Sequence, residues 1–400
     1  MIRKRILIVS ELFYPEEFNI NDIALFWANN GFEVDVLTLS PTYPFGKVYK
    51  GYKNKIFYRE DYQGINIYRV KAVSGYQKSL FKKILKYLNF MILGSIVGAF
   101  IGKKYDYIFG FNVGALTSMV PAYTIRKLYK KPLMIWIQDL WPDTIYAYGF
   151  KRTKLRKYFL DKFIKSIYHN ASSIAISGKG FELKLKNYVD DNIKLNYIPN
   201  WADDFNTEFK PASLSTENKT HFTFAGNLGK LQNLEKIIES FSLLDNADSD
   251  RAQLNIIGDG SNLLNLKNLA KHNLNIVFHG RKKREEMPKF YLASDFLIVA
   301  LVDDPIFSVL VPAKLQAYIA AKKPILAIIN GDTSDIVINN NLGLYANPSD
   351  AQAIKNTFVE CINMSDLEKK NFISQGEKLL KDDFNKNKIM AKLTNVLVNK

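Results

Sequence analysis

The chain has 400 residues, 47% hydrophobic and 13% aromatic, and 55 lysines and arginines outweigh 39 acids to give a net charge of +16. That length exceeds what one hydrophobic core usually supports, which predicts two domains, and the apolar content excludes a disordered chain. The single cysteine, Cys361, excludes an intramolecular disulfide and suits a reducing cytosol, while His169, His221, His272 and His279 show no metal-ligand spacing.

The first residues, MIRKRILIVSELFYPEE, hold too short an apolar run for a signal peptide. Arg5–Ser10 (RILIVS) predicts a strand, Asn19–Asn30 a helix stopped at Gly31, and Glu33–Leu39 a second strand. PTYPFGKVYKGY reads as a loop and Ile65–Val70 as a strand. Lys71–Lys104 contains seven lysines and no acid. Its basic half, SLFKKILKYLNF, is apolar at helical spacing with lysines between, the pattern of an interfacial helix over about 78–102. The apolar run Leu88–Ile101 is shorter than the ~20 residues a bilayer span needs. A buried helix with a solvated lysine flank is the plainer alternative. Strands follow at Tyr107–Phe111 and Leu133–Ile137 with a helix over Leu116–Lys130 between them. Lys151–His169 is helical, and Ser173–Ser177 and Lys194–Ile198 are strands. This β-then-α order predicts a parallel sheet covered on both faces.

Asn200–Thr220 is polar, contains Pro211 and lacks an apolar period, which predicts a domain boundary: residues 1–200, a linker at 201–220, and 221–400. The alternation then restarts. His221–Ala225, Gln253–Ile257, Asn275–His279 and Phe296–Leu301 are strands separated by helices at Asn233–Leu244, Leu263–His272 and Glu285–Ala293. A polar loop leads from the last of these strands to a helix from Pro312 to Lys323 and the strand Pro324–Ile329. From Asp350 the tail is helical, with Ser365 and Glu368 spaced as a capping box and a last helix over Asn385–Asn399. Two tandem doubly wound domains would set two strand-end crevices opposite one another across a cleft.

Three glycine turns end strands of the second half. Gly226 and Gly229 let a backbone approach a ligand, and Asn227, Lys230 and Gln232 lie among them. Gly258 with Gly260, and Gly280 with Arg281, complete the set. None is a dinucleotide fingerprint or a P-loop. The helix opened by Pro312, Ala313, Lys314 and Leu315 begins where a strand ends, so its free N–H groups and the Lys314 ammonium suit an anion. A nucleotide fits this constellation, with N–H groups for phosphates and Arg281 near base or phosphates. Ordinary turns and a crossover helix with a surface lysine are the alternatives.

Motifs run along nearly the whole chain: Phe13-Tyr-Pro-Glu-Glu17, Ile20-Asn-Asp-Ile23, Gly31-Phe-Glu-Val-Asp-Val-Leu-Thr38, Thr42-Tyr-Pro-Phe-Gly46, Ile137-Gln-Asp-Leu-Trp-Pro-Asp143, Ile198-Pro-Asn-Trp201, Gly226-Asn-Leu-Gly229 with Gln232, Gly258-Asp-Gly260, and Pro312-Ala-Lys-Leu-Gln316 with Pro324. In this order the chain resembles the retaining family 4 glycosyltransferases. It looks closest to their bacterial surface-polysaccharide subgroup of O-antigen, capsule and colanic-acid type. The resemblance implies an α/β, GT-B architecture of two doubly wound Rossmann-like domains facing a central cleft, the first for acceptor, the second for donor, with the last helix crossing back. The family's Glu-x7-Glu motif falls at Val309 and Ala317, so its carboxylates are absent. The usual arginine and lysine of the glycine loop fall at Asn227 and Gln232, and a family histidine at Gln138.

The implied reaction is front-face displacement of a nucleotide diphosphate with retained configuration. Lys314 and the N–H groups at its helix start would stabilise the leaving diphosphate, with Lys230 or Arg281 assisting and no resident metal or other cofactor. Asp139 would orient hydroxyls; a turn cap is its alternative role. Gln138 and Trp141 would line the acceptor side. Asn19, Asn21 and Asp22 would reach ligand from the first helix, or Asn19 or Asn21 would simply cap it. The implied donor is a UDP-sugar, with an N-acetylated or deoxy-amino sugar favoured. The implied acceptor is a saccharide on a polyprenyl diphosphate at the inner face of the cytoplasmic membrane, whose anionic surface accounts for the positive charge. No arginine-rich segment or zinc knuckle supports a nucleic-acid partner. A nucleotide-sugar epimerase of the same fold and a non-catalytic basic binding protein are the other readings.

Overall fold

The computed structural model describes residues 3–76, 79–142, 153–202, 209–214 and 218–399. Lys78, Asp143, the first two residues of the helix predicted over Lys151–His169 and parts of 201–220 lie outside them. The chain divides into two compact units, Met1–Ile198 with Met390–Lys400, and Pro199–Ile389.

In the first unit an eight-stranded sheet has the order β3-β4-β2-β1-β5-β6-β7-β8. Its strands are β1 (Arg5–Ser10), β2 (Glu33–Leu39), β3 (Phe57–Tyr62), β4 (Ile65–Val70), β5 (Tyr107–Asn112), β6 (Leu133–Ile137), β7 (Ser173–Ile176) and β8 (Leu195–Tyr197). All pairings are parallel except β3 with β4. Central strands such as RILIVS are buried from Ile6 onward because helices cover both faces. The hairpin strand β3 is absent from the sequence reading. FYREDY alternates exposed with half-buried positions at a sheet edge, so it carries no apolar run. Its two-residue turn, Gln63 (φ 51) and Gly64 (φ 83), uses left-handed backbone at both positions, as tight hairpins require.

Helix α1 (Asn19–Asn29) buries Ile20, Ile23, Ala24 and Trp27, and the Trp27 Nε1–H donates to Thr394 Oγ1 at 2.8 Å. Helix α2 (Leu80–Ile101) joins β4 to β5 and packs on α3 (Val120–Tyr129). It buries every fourth residue: Lys86, Phe90, Gly94, Gly98 and, just past its end, Gly102. A Cβ at Gly94 would lie 2.8 Å from Pro121 Cγ, and one at Gly102 2.6 Å from Ile125 Cγ2, so only glycine permits this approach. The opposite face leaves Phe81, Ile84, Leu85, Leu88, Ile92, Ile96 and Phe100 exposed, the last 84% exposed. The basic and apolar halves form one helix, longer than the run Leu88–Ile101 suggests. By length and composition Phe81–Lys104 is sufficient to cross a membrane. Both its ends, however, return to parallel strands of one sheet, and Lys86 makes a buried ion pair with Glu11 at 2.6 Å.

The second unit holds a six-stranded parallel sheet ordered β11-β10-β9-β12-β13-β14. Its strands are β9 (Thr220–Asn227), β10 (Ala252–Asp259), β11 (Ile276–Gly280), β12 (Phe296–Ala300), β13 (Ile325–Ile328) and β14 (Gly343–Tyr345). Phe222, Phe241, Phe296 and Phe358 form an aromatic core beneath it. The capping box at Ser365 and Glu368 is present. The helix expected over Pro312–Lys323 is shorter, Lys314–Ala320, and the helix Asp332–Asn339 and strand β14 were not anticipated. Described parts of 201–220 are bonded into this unit: the Ala202 N–H donates to Phe384 O at 3.1 Å and the Ala212 N–H to Lys289 O at 2.9 Å.

Candidate functional site

An open parallel sheet binds ligands at the carboxyl ends of the strands where chain order reverses, because the loops there diverge and leave a crevice. In the second unit that point lies between β9 and β12. Strand β9 ends at Gly226 and Asn227, and the loop after it runs from Leu228 through a turn at Lys230–Gln232. The loop after β12 leads to Lys314, and the Val302 N–H donates to Leu231 O at 3.0 Å, tying the two together.

Lys314 is the centre of this point. Its ammonium donates to Gln232 Oε1 at 2.9 Å and lies 3.9 Å from the centroid of the Phe224 ring. Gly226 adjoins it: a Cβ there would come 3.4 Å from the Lys314 Nζ. No carboxylate pairs with this ammonium among the described residues, and burial pushes its pKa down to about 7. A lysine held by a neutral amide and a ring face, with no counter-charge, is stabilised by any anion that reaches it.

The rest of the sequence-derived set is distributed around this centre. Gly226, Asn227 and Lys230 are exposed at the end of β9, and Gly258 lies beside Gly226 in register. Gly258 has φ +140, and a Cβ on it would sit 1.8 Å from Gly226 O, so glycine is required by strand contact. The Asn227 amide folds against Gly229, 3.0 Å from where a Cβ would stand. Gly280 ends the edge strand β11 and Arg281 follows it, two strands from β9 and therefore roughly 10 Å away. Pro312 precedes the helix instead of opening it, and Ala313 takes the cap position. Leu315 does not offer its amide, because that N–H donates to Pro312 O at 2.9 Å and its side chain is fully buried. The positive charge thus comes from the Lys314 side chain more than from a row of free amides. Phe224 was missed because a phenylalanine inside a strand reads as core.

In the first unit the order reverses between β1 and β5. Asn112 ends β5 fully buried, and neither atom of its side-chain amide is bonded to a described residue. Beyond it the Gly114 N–H donates to Asp139 Oδ2 at 2.5 Å, so Asp139 braces the β5 loop against the end of β6. Burial raises the Asp139 pKa above the usual carboxylate value and the Gly114 bond offsets part of that. The Gln138 N–H donates to Asn112 O at 2.9 Å, and Trp141 is half-buried beside the cis Trp141–Pro142 bond. Neither Asn19 nor Asn21 caps α1, whose cap position is Phe18. Asn21 instead accepts the Tyr14 N–H at 3.0 Å and donates to Glu16 O at 2.7 Å, which fixes the preceding loop. Asn19 and Asp22 are half-buried in the first turn.

Over the whole chain the architecture matches solved enzymes. Sucrose-phosphate synthase from Thermosynechococcus elongatus superposes with a TM-score of 0.74 over 98% of each chain, at 16% identity. An Escherichia coli structure described as trehalose-6-phosphate bound with UDP-2-fluoro glucose gives 0.76 over 98% of this chain and 99% of that one, at 10% identity. The fold is GT-B. Within this GT-B chain, residues 205–379 match the family described as glycosyl transferases group 1. The probable glycosyltransferase WbjE of Pseudomonas aeruginosa is 27% identical over 257 residues, spanning 61% of this chain and 63% of WbjE. The match therefore spans less than two thirds of that relative's length.

Proposed function

We propose that the protein is a glycosyltransferase of the retaining, family 4 type that takes its sugar from a UDP-sugar. The observation that carries the reading is Lys314: an ammonium with no carboxylate partner among the described residues, beside Gly226 and Gln232 at the reversal point of a parallel sheet. The group 1 match over the same residues, and UDP-2-fluoro glucose in the Escherichia coli neighbour, support a nucleotide-sugar donor.

In this reading the departing diphosphate takes the place of the missing counter-charge. Charge on the leaving oxygens grows as the glycosidic bond breaks, so a fixed ammonium stabilises the transition state more than the ground state. The incoming hydroxyl passes its proton to the leaving phosphate, no resident metal or cofactor takes part, and configuration is retained. Lys230 and Arg281 extend the positive rim. The first unit is assigned the acceptor, with Asp139, Gln138 and Trp141 at its strand ends. The favoured donor sugar is an N-acetylhexosamine or deoxy-amino sugar. The acceptor is a lipid-linked saccharide in surface-polysaccharide synthesis at the inner membrane face.

The face of α2 supports the membrane placement. Seven exposed apolar side chains on one stripe, with Lys82 and Lys103 exposed at its ends and no acid in the helix, fit an anionic lipid surface better than water. UDP release from UDP-sugars, measured with and without a membrane extract containing lipid-linked saccharide, tests the activity. Release that rises with the extract and fails in Lys314→Ala is expected. Sugar conversion without acceptor, or no UDP-sugar binding at all, would sink it.

A further inference from the structure

The sheet of the first unit ends at β3, which pairs with β4 on one side only. An edge strand presents backbone groups that its neighbour does not use, and β3 has a defined set of them. The two-residue turn Gln63-Gly64 closes on the pair Tyr62–Ile65, so Tyr62, Glu60 and Tyr58 aim their N–H and C=O groups at β4. Phe57, Arg59 and Asp61 aim theirs away from the sheet. Proteins commonly blunt such an edge with proline or a bulge. FYREDY contains no proline, and it pairs with β4 residue for residue.

The charges on this edge are of both signs. Arg59 and Asp61 are exposed, and among the described residues neither meets an opposite charge in its own chain. The Arg59 guanidinium donates to Asn66 Oδ1, through Nε at 3.1 Å and through Nη2, and lies 5.8 Å from the centroid of the Tyr68 ring. Asp61 accepts the Gly64 N–H at 3.2 Å through Oδ1. No contact among the described residues uses the Arg59 Nη1 or the Asp61 Oδ2. Both side chains are therefore held at the edge by neutral groups, each with a hydrogen-bonding atom left over.

Their spacing selects the occupant. Facing residues of two antiparallel strands lie on the same side of the sheet, so two copies of β3 can pair only where facing residue numbers sum to an even value. Centring the pair on Arg59 or on Asp61 would set like charges opposite each other, which is unfavourable. Centred on Glu60, Arg59 of each copy faces Asp61 of the other. These are also the residues whose backbone groups point outward, so each facing pair exchanges both hydrogen bonds with Cα atoms about 5.5 Å apart. Four backbone hydrogen bonds and two charge pairs result. Tyr58 faces Tyr62 of the second copy on the opposite face, a favourable aromatic cross-strand pair. Glu60 meets its equivalent at the axis, but its charge is already paired with Arg69 inside each chain.

We propose that β3 is a self-association edge, at which two copies of this chain join their first-unit sheets with Arg59 paired to Asp61 across a two-fold axis. That axis is normal to the sheet, so the exposed stripes of both α2 helices lie on the same side, which suits a flat lipid surface; the pairing itself does not rest on that reading. The test is sedimentation velocity of the full chain over a range of concentrations. The contact is short, so a monomer–dimer equilibrium at roughly 10–100 µM is expected. Arg59→Asp and Asp61→Arg each set like charges opposite at both pairs and should weaken association at least about tenfold. Mixed in equal amounts, these two variants should associate again, because each supplies the charge the other lacks. The double variant Arg59→Asp with Asp61→Arg should behave as the unaltered chain does. Both positions are exposed, so thermal midpoints should hold, and Arg59→Gln replaces Arg59→Asp as the weakening variant should the latter unfold. A monomer at every concentration would overturn the proposal. So would a dimer equally strong in both single variants, which would place the contact elsewhere, or a mixture that associates no better than its components.

Discussion

Lys86 is buried and Lys314 half-buried, yet their ammonium groups shift in opposite directions because, among the described residues, only Lys86 has a carboxylate partner. Burial works against the Lys86 ammonium, but the Glu11 carboxylate reverses this and leaves its pKa above the ordinary lysine value. Lys314 meets Gln232 and Phe224 with no carboxylate among the described residues, and burial lowers its pKa to about 7. Between about 7 and the ordinary value of 10.5 the unfolded chain binds the extra proton, so Lys314 makes folding stability rise with pH across that window. Anion binding runs the other way, since only the protonated form attracts diphosphate. UDP affinity should therefore fall as pH rises above about 7, approaching tenfold per unit, and binding near pH 8 should take up a proton. Calorimetry in buffers of different ionisation enthalpy measures that uptake. Lys314→Met should abolish both effects; a pH dependence unchanged in this variant would mean the charge lies elsewhere. Turnover by Lys314→Ala should drop by roughly 10²–10³, the usual cost of losing one transition-state donor.

At the scale of elements, α2 has two faces set by a four-residue glycine spacing and an apolar stripe opposite it. The lysines of its basic half are not equivalent. Lys82 is exposed, Lys83 is half-buried and Lys86 is sealed against Glu11 beneath the Tyr76 ring, while Lys78 lies outside the described residues. Lys86→Glu would thus report on folding, not on lipid. Lys86→Met leaves Glu11 buried without a partner and should cost about 3–5 kcal/mol in denaturant unfolding. Membrane contact is instead tested by Phe81→Ser with Ile96→Ser and Phe100→Ser, which alter exposed positions only. Sedimentation with phosphatidylglycerol liposomes should show binding lost in this triple variant with the thermal midpoint kept. Equal binding by the variant and the unaltered chain would remove α2 from the membrane surface.

At the scale of the whole chain, the last helix, Lys386–Val398, leaves the second unit and contributes Leu393 and Leu397, both buried, to the first. Thr394 accepts the hydrogen bond from Trp27 there. A chain ending at Ile389 should lose roughly 5 kcal/mol or more from the first unit, comparable to the whole stability of an ordinary domain. Thermal unfolding of that shortened chain checks this; an unchanged transition would show that residues 390–400 are dispensable to it. The alternation of apolar strands and amphipathic helices was readable in the residues alone, since RILIVS, LMIWI and FLIVA bury both faces of a parallel sheet and carry that signal locally. The same held for the strand-end glycines and for Lys314 as a candidate. What the residues alone could not decide were the relations made between distant positions. Glu16 meets Tyr43, Arg69 meets Tyr14 and Lys86 meets Glu11 only because parallel strands bring loops of remote sequence to one edge. The edge strand β3 also depended on its neighbour β4. Burial of β3 on one side is a property of tertiary packing and leaves no apolar run in the chain, while the helix start is set by a local turn, in which Pro312 O takes the Leu315 N–H, that the helix formers after Pro312 do not reveal.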